Sequence, residues 1–128
     1  MKKHWEIYLI VLIALAGLFA PTVAGLFTPK ADIVVYTQKT CGWCKRAMAY
    51  IDENVRPSEP NIKIVEIDIG AQANFKKMTA DARKFKVERE VGTPFIVSTD
   101  DYIIGWTDDA PAKLHRIITK IKVQKAKK

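Results

Sequence analysis

The chain has 128 residues, with 21 lysines and arginines against 14 aspartates and glutamates, for a formal net charge of +7. This length holds one small domain plus a terminal segment, and 48% apolar content excludes a disordered chain. Two cysteines exclude a disulfide scaffold.

Met1-Lys2-Lys3-His4 is basic, and no charged residue occurs from Ile7 to Pro29. The run from Ile7 to Phe19 has the length of a signal-peptide core. With Ala20 to Phe27 it reaches the ~20 apolar residues that span a bilayer. Lys2 and Lys3 predict that this end stays in the cytoplasm while the rest is exported, with Trp5 and Tyr8 at the interface. Two fates fit. Pro21 and the small residues of Thr22-Val23-Ala24 favour cleavage after Ala24; alternatively, the hydrophobic helix is retained as an anchor. A buried helix of a soluble domain fits less well, because no polar face interrupts the run. Either main fate places the domain in the bacterial periplasm or on the outer face of the inner membrane, where disulfides persist. The expected division is residues 1–29 as signal peptide or anchor, 30–124 as a folded domain and 125–128 as a basic tail.

Along that domain, Ile33-Val34-Val35-Tyr36 predicts a buried strand. Cys41-Gly42-Trp43-Cys44 follows, and then a helix is expected from Lys45 to about Asn54, stopped by Pro57 and Pro60. The alternation from Ile62 to Ile69 predicts a second strand. Phe75, Met78, Ala82 and Phe85 fall at helical spacing between Ala71 and Lys86. Phe95-Ile96-Val97 and Tyr102-Ile103-Ile104 predict short strands joined by a turn at Ser98–Asp101. Leu114, Ile117, Ile118 and Ile121 form the apolar stripe of a last helix. The order implies a parallel βαβ unit followed by an antiparallel hairpin, hence an α/β domain with a mixed sheet flanked by helices.

Cys41 and Cys44 are the chain's two cysteines, placed between a strand and a helix. That is the sequence form of a dithiol redox centre. A structural staple is the bland alternative, but closing so short a loop yields only ~2 kcal/mol before strain. Half of a metal site is the other. Zinc takes four ligands, and only His4 and His115 could join the cysteines, with His4 before the apolar run. No metal site is expected.

The segment Tyr36 to Ala47, containing Cys41-Gly42-Trp43-Cys44, resembles the glutaredoxin active-site segment within the thioredoxin-fold superfamily. Gly92-Thr93-Pro94-Phe95-Ile96-Val97 resembles the segment that carries a cis-proline beside the cysteines in that family. Ile104-Gly105-Trp106-Thr107-Asp108-Asp109 is similar to the segment that holds glutathione in glutaredoxins. The resemblance covers roughly Asp32 to Ile121 and implies a thioredoxin-like fold with a mixed four-stranded sheet. Gly42-Trp43 stands where glutaredoxins usually carry Pro-Tyr, Gln38 where they carry lysine, and Gly105-Trp106 where they carry Gly-Gly. Val35 occupies the position of the thioredoxins' buried acid. The Gly-aromatic dipeptide and Thr93 also resemble periplasmic disulfide isomerases.

Cys41, at a helix N-terminus, is expected to be the attacking thiol, because unpaired backbone N–H groups and the helix dipole stabilise a thiolate. Lys39, Lys45 and Arg46 add positive potential, and cysteines in such settings titrate below the free value of ~8.5. Cys44, one turn further in, is expected to resolve the mixed disulfide. The resemblance implies that Thr93, beside a cis Pro94, pairs with an extended substrate segment. Lys39, Gly42 and Trp43 are expected on the substrate surface, and Trp106 on either the core or the rim. Thr107, Asp108 and Asp109 have two readings: recognition of an amino group on glutathione or a peptide, or capping of the last helix with Pro111.

The expected function is an exported thiol–disulfide oxidoreductase that reduces, forms or exchanges disulfides in proteins or small thiols. No cofactor is expected to be bound, with glutathione as a candidate co-substrate. Expected partners are protein thiols and disulfides of the cell envelope, a redox partner that supplies or accepts electrons, and the membrane if the N-terminal helix is retained. The basic end, with Lys113, Arg116, Lys120, Lys122, Lys125, Lys127 and Lys128, reads as a solvated helix face and frayed tail rather than a nucleic-acid site. The alternative function is a non-catalytic binding or assembly module whose cysteines stay in a permanent disulfide.

Overall fold

A computed structural model describes residues 31–127 of the chain. The expected N-terminal apolar helix over 1–29 and the cleavage point after Ala24 lie outside the described residues. Among the described residues, no helix is long and apolar enough to cross a membrane.

The elements are β1 (Ile33–Thr37), α1 (Gly42–Tyr50), a π-helical turn (Ile51–Val55), β2 (Ile64–Asp68), α2 (Gln72–Lys84), β3 (Phe95–Val97), β4 (Tyr102–Ile104) and α3 (Ala110–Ala126). The strands form one sheet in the order β2-β1-β3-β4. β1 and β2 are parallel, with Ile33 opposite Ile64 and Thr37 opposite Asp68. β3 runs antiparallel to β1, with Tyr36 opposite Phe95, and β4 runs antiparallel to β3. This is the mixed sheet that the resemblance to the thioredoxin fold implies.

Side chains alternate across a strand, so each strand feeds two cores. Ile33, Val35, Ile64, Ile96 and Ile103 pack with Ile51, Val55, Leu114, Ile117, Ile118 and Ile121, which lie on or just after α1 and on α3. Tyr36, Phe95 and Val97 face the other way, against Met78 and Ala82 of α2. Both faces of the central strands are covered, which is why β1 and β3 read as apolar runs rather than a clean in-out alternation. Fully burying a side chain such as Leu114 or Ile96 contributes ~1.5–3 kcal/mol before entropy is counted.

Several boundaries differ from expectation for local reasons. α1 starts at Gly42 rather than Lys45, because the Cys41 side chain caps it. Its continuation is π-helical, with the Arg56 amide donating to the Ile51 carbonyl at 2.9 Å. β2 starts at Ile64; Lys63 precedes the ladder, although Ile62 is still buried. α2 ends in a Schellman motif: the Val87 amide donates to the Ala82 carbonyl at 2.9 Å and the Lys86 amide to the Arg83 carbonyl at 3.0 Å. Lys86 therefore sits at φ 61° in the left-handed region. α3 runs through Lys125, which donates to Asp32 and to the Asn61 carbonyl, each at 2.7 Å. Lys113, Lys120 and Lys122 pair with Asp109, Asp101 and Glu59. These exposed pairs each contribute little to stability.

Candidate functional site

β1 ends at Thr37 and the chain turns over Gln38–Cys41, with the Cys41 amide donating to the Gln38 carbonyl at 3.0 Å. Cys41 leaves this turn with extended dihedrals (φ −89°, ψ 108°) and becomes the N-cap of α1. Its sulfur takes the place of the usual capping oxygen, accepting the Cys44 amide at 3.1 Å. The first turn of α1 contains no acid. Lys45 and Arg46 are exposed there, so the local field favours negative charge on Cys41.

Cys41 and Cys44 are joined by a disulfide, with Cα atoms 5.3 Å apart. The two sulfurs are not equivalent. Cys41 is half-buried, while Cys44 is 3% exposed. An incoming sulfur can reach Cys41 but not Cys44, which separates an attacking from a resolving position.

The antiparallel register of β3 against β1 delivers the second half of the site. Phe95 lies opposite Tyr36, so the preceding residues arrive beside the cysteine turn. The Thr93–Pro94 bond is cis and Pro94 is fully buried. The Thr93 carbonyl lies 3.6 Å from the Cys41 sulfur. The Gly105 amide donates to the Pro94 carbonyl at 2.8 Å, and Gly105 has φ 80°, which a side chain would oppose. That turn brings the Trp106 segment alongside Thr93.

A groove of about 370 Å³ results, lined by Trp43, Thr93, Gly105, Trp106, Thr107 and Asp108. Trp43 is 56% exposed, and the Arg46 guanidinium lies 4.9 Å from its ring centroid. Such a cation–π contact is worth ~0.5–1 kcal/mol at an exposed site and restrains the indole. Trp106 serves core and rim together: it packs on Tyr50 at 5.5 Å and lines the groove.

Thr107 donates its hydroxyl to the Asp109 carboxylate, which also pairs with Lys113 at 3.2 Å. The Thr107 hydroxyl, and then Lys113, hold the Asp109 carboxyl below the usual carboxylate range. Asp109 occupies the N-cap position of α3, but its side chain caps no amide; Pro111 fills the first turn. Asp108 is exposed on the groove wall. Lys39 is not in the groove. It lines a separate cavity on the Cys44 side, with Glu66 and Asp68.

Sequence reasoning missed three placements. Arg46 stacks on Trp43. Asp81 accepts a hydrogen bond from the fully buried Tyr36, whose phenol is pushed well above its ordinary range by burial and then by Asp81. Glu66 lines the same cavity as Cys44. The signal for Asp81 was an acid on the apolar stripe of Met78, Ala82 and Phe85; for Glu66 it was an acid on the strand face begun by Ile62 and Ile64.

The strand order, the mixed pairing and the cis-proline beside a helix-capping cysteine define a thioredoxin-like, glutaredoxin-like fold. The Cys41–Cys44 pair within it fits thiol–disulfide oxidoreductase chemistry at the general level. No family model and no curated protein matches the chain. Among solved structures, it is similar to a glutaredoxin from Archaeoglobus fulgidus, with 18% identity, a TM-score of 0.48, and coverage of 69% of this chain and 86% of that one.

Proposed function

We propose that the chain is an exported thiol–disulfide oxidoreductase that acts on protein thiols and disulfides of the cell envelope, using Cys41 as the attacking sulfur and Cys44 as the resolving one. The observation that carries this reading is the asymmetry of the pair: Cys41 caps α1 and faces Thr93, while Cys44 is buried behind it. The chemistry is a two-electron exchange. A Cys41 thiolate attacks a substrate disulfide, one substrate sulfur leaves, and Cys44 then displaces the other as the Cys41–Cys44 bond forms. The reverse sequence inserts a disulfide into a dithiol.

Trp43 and Trp106 give the groove two apolar walls next to the Thr93 backbone, which favours an extended polypeptide over a small disulfide. Thr107 and Asp108 line the same groove and would recognise an amino group of a peptide or of glutathione. A redox partner and, if residues 1–29 are retained, the membrane complete the proposal. Replacing Cys44 by alanine tests it: the variant is expected to accumulate clients disulfide-bonded to Cys41 in the native host. Intact biological activity in Cys41→Ser would instead support the binding-module account.

A further inference from the structure

From Ala110 to the C-terminus the chain has no acidic residue. The apolar stripe of α3 is buried, so the helical period divides its cations between two settings. Lys122 and Lys125 reach Glu59 and Asp32 on the body of the domain. Arg116, Lys120 and Val123 follow one another at i, i+4 and i+7 on the outer face, and the C-cap Lys127 continues the same line. All four are exposed, Val123 by 50%. Arg116 and Lys127 have no ion-pair partner among the described residues. An open recess of about 390 Å³ lies between this face and β4, lined by Asp101, Tyr102, Lys113, Arg116, Ile117 and Lys120. Tyr102 packs on Phe85 and Phe95 yet stays 39% exposed. Two acids border the recess: Asp109 pairs with Lys113 and Asp101 with Lys120, each at 3.2 Å. Exposed pairs of this kind are weak enough for another anion to compete for the cation.

We propose that the outer face of α3 docks on an anionic bilayer, with the recess taking the phosphate of a lipid headgroup. A guanidinium and two ammonium groups around one opening suit a phosphate. A soluble phosphate would use the recess alone. The line of exposed side chains runs on past it to Lys127, which matches a charged plane. Val123 and Tyr102 fit the same partner, because an aromatic and a short apolar side chain enter the interface while the cations beside them hold headgroups. A nucleic acid would call on further polar side chains, and the two on this face are engaged: Thr119 donates to the His115 carbonyl at 3.0 Å and Gln124 to Asp100 at 2.8 Å. Each cation at an anionic surface strengthens binding about fivefold, so Lys113, Arg116, Lys120 and Lys127 act together. None of the recess residues lines the cysteine groove, so docking leaves that groove open to clients. The proposal is separate from the dithiol reading, and the failure of either leaves the other standing.

The test mixes the full chain with nanodiscs of neutral lipid, or of neutral lipid with about 30% phosphatidylglycerol, and follows acetylation of each lysine by mass spectrometry. Residues 1–29 are present in both cases, so the comparison isolates headgroup charge. Lys113, Lys120 and Lys127 are expected to react at least ~5-fold more slowly with the anionic discs, while Lys76, Lys77 and Lys84 of α2 stay within about twofold. About 0.5 M salt should remove the difference. Arg116→Gln combined with Lys120→Gln should weaken docking ~25-fold and return Lys113 and Lys127 to within about twofold of their rates with neutral discs. Val123→Asp, which keeps every cation, should also reduce the protection. Protection that persists in the double variant overturns the proposal, as does protection that survives salt or extends equally to the α2 lysines. Protection by soluble glycerol phosphate or by a duplex oligonucleotide, with none from anionic discs, overturns the lipid assignment.

Discussion

The contact between Tyr36 and Asp81 joins the strand that carries the cysteine turn to the helix behind it, and Tyr36→Phe removes it. The phenol is fully buried and donates to a carboxylate. A hydrogen bond to a charged acceptor contributes ~1.5–3 kcal/mol, so the variant is expected to lose ~2 kcal/mol at neutral pH. The pH dependence follows from the sign of the shift. Burial and then Asp81 raise the folded-state phenol above its unfolded value. The contribution is therefore complete below an unfolded pKa of ~10 and declines by ~1.4 kcal/mol per pH unit above it, because only the unfolded chain ionises. A 2 kcal/mol advantage disappears about 1.5 units higher, near pH ~11.5. Urea unfolding of parent and variant, run in parallel across that range, cancels the titration of lysines and of the other tyrosines. A difference that stays constant from about pH 8 to about pH 11.5 refutes the reasoning, since it would mean that Tyr36 ionises alike in both states.

Lys86→Gly should stabilise the domain by ~0.5–1 kcal/mol, because φ 61° suits glycine and the backbone bonds of the Schellman motif remain. For a domain of this size that is a rise in Tm of ~3–6 °C, and a fall in Tm argues against the motif. Leu114→Ala, at a fully buried position on the inner face of α3, should cost ~3 kcal/mol in urea unfolding; a loss under ~1 kcal/mol would mean that α3 does not seal that face. Trp43→Ala should lower kcat/KM for a polypeptide disulfide ~10-fold, equivalent to ~1.4 kcal/mol of lost contact, while a small aromatic disulfide reacts within about twofold of the parent. Equal loss on both substrates would place Trp43 in the chemistry rather than in the groove.

What the sequence disclosed and what it hid divide along a physical line. β3 and β4 match the expected Phe95–Val97 and Tyr102–Ile104 because turn chemistry bounds them: Pro94 on one side, and between them Ser98, whose amide pairs with the Asp101 carbonyl at 2.8 Å. The helical stripes of α2 and α3 were equally plain, since periodicity survives without tertiary information. The start of α1 was misplaced by three residues, because cysteine is not an ordinary capping residue and only its sulfur's position shows that it caps. The π-helical turn left no periodic trace. In the site, Cys41, Cys44, Thr93 and Pro94 were legible as motifs with local spacing. Glu66 and Asp81 were not, because their meaning depends on which strand face meets which helix, and that is fixed by pairing between distant segments. Lys39 shows the converse. It is close to Cys41 in sequence, and only the fold shows that it lines a cavity with Cys44, Glu66 and Asp68.

The central claim is that the Cys41–Cys44 bond opens and closes as part of the protein's work. The most direct measurement is equilibration of the full chain with glutathione redox buffers, scoring the fraction of open and closed pair by thiol alkylation. The account predicts a reversible two-electron titration with a midpoint between the ~−270 mV of strong thioredoxin-type reductants and the ~−120 mV of strong oxidants of the fold, because neither a proline between the cysteines nor an acid at Val35 pushes it to an extreme. A midpoint at the thioredoxin extreme would contradict that placement, and a pair that stays closed across the whole range would contradict the claim of turnover and leave a binding module with a permanent disulfide.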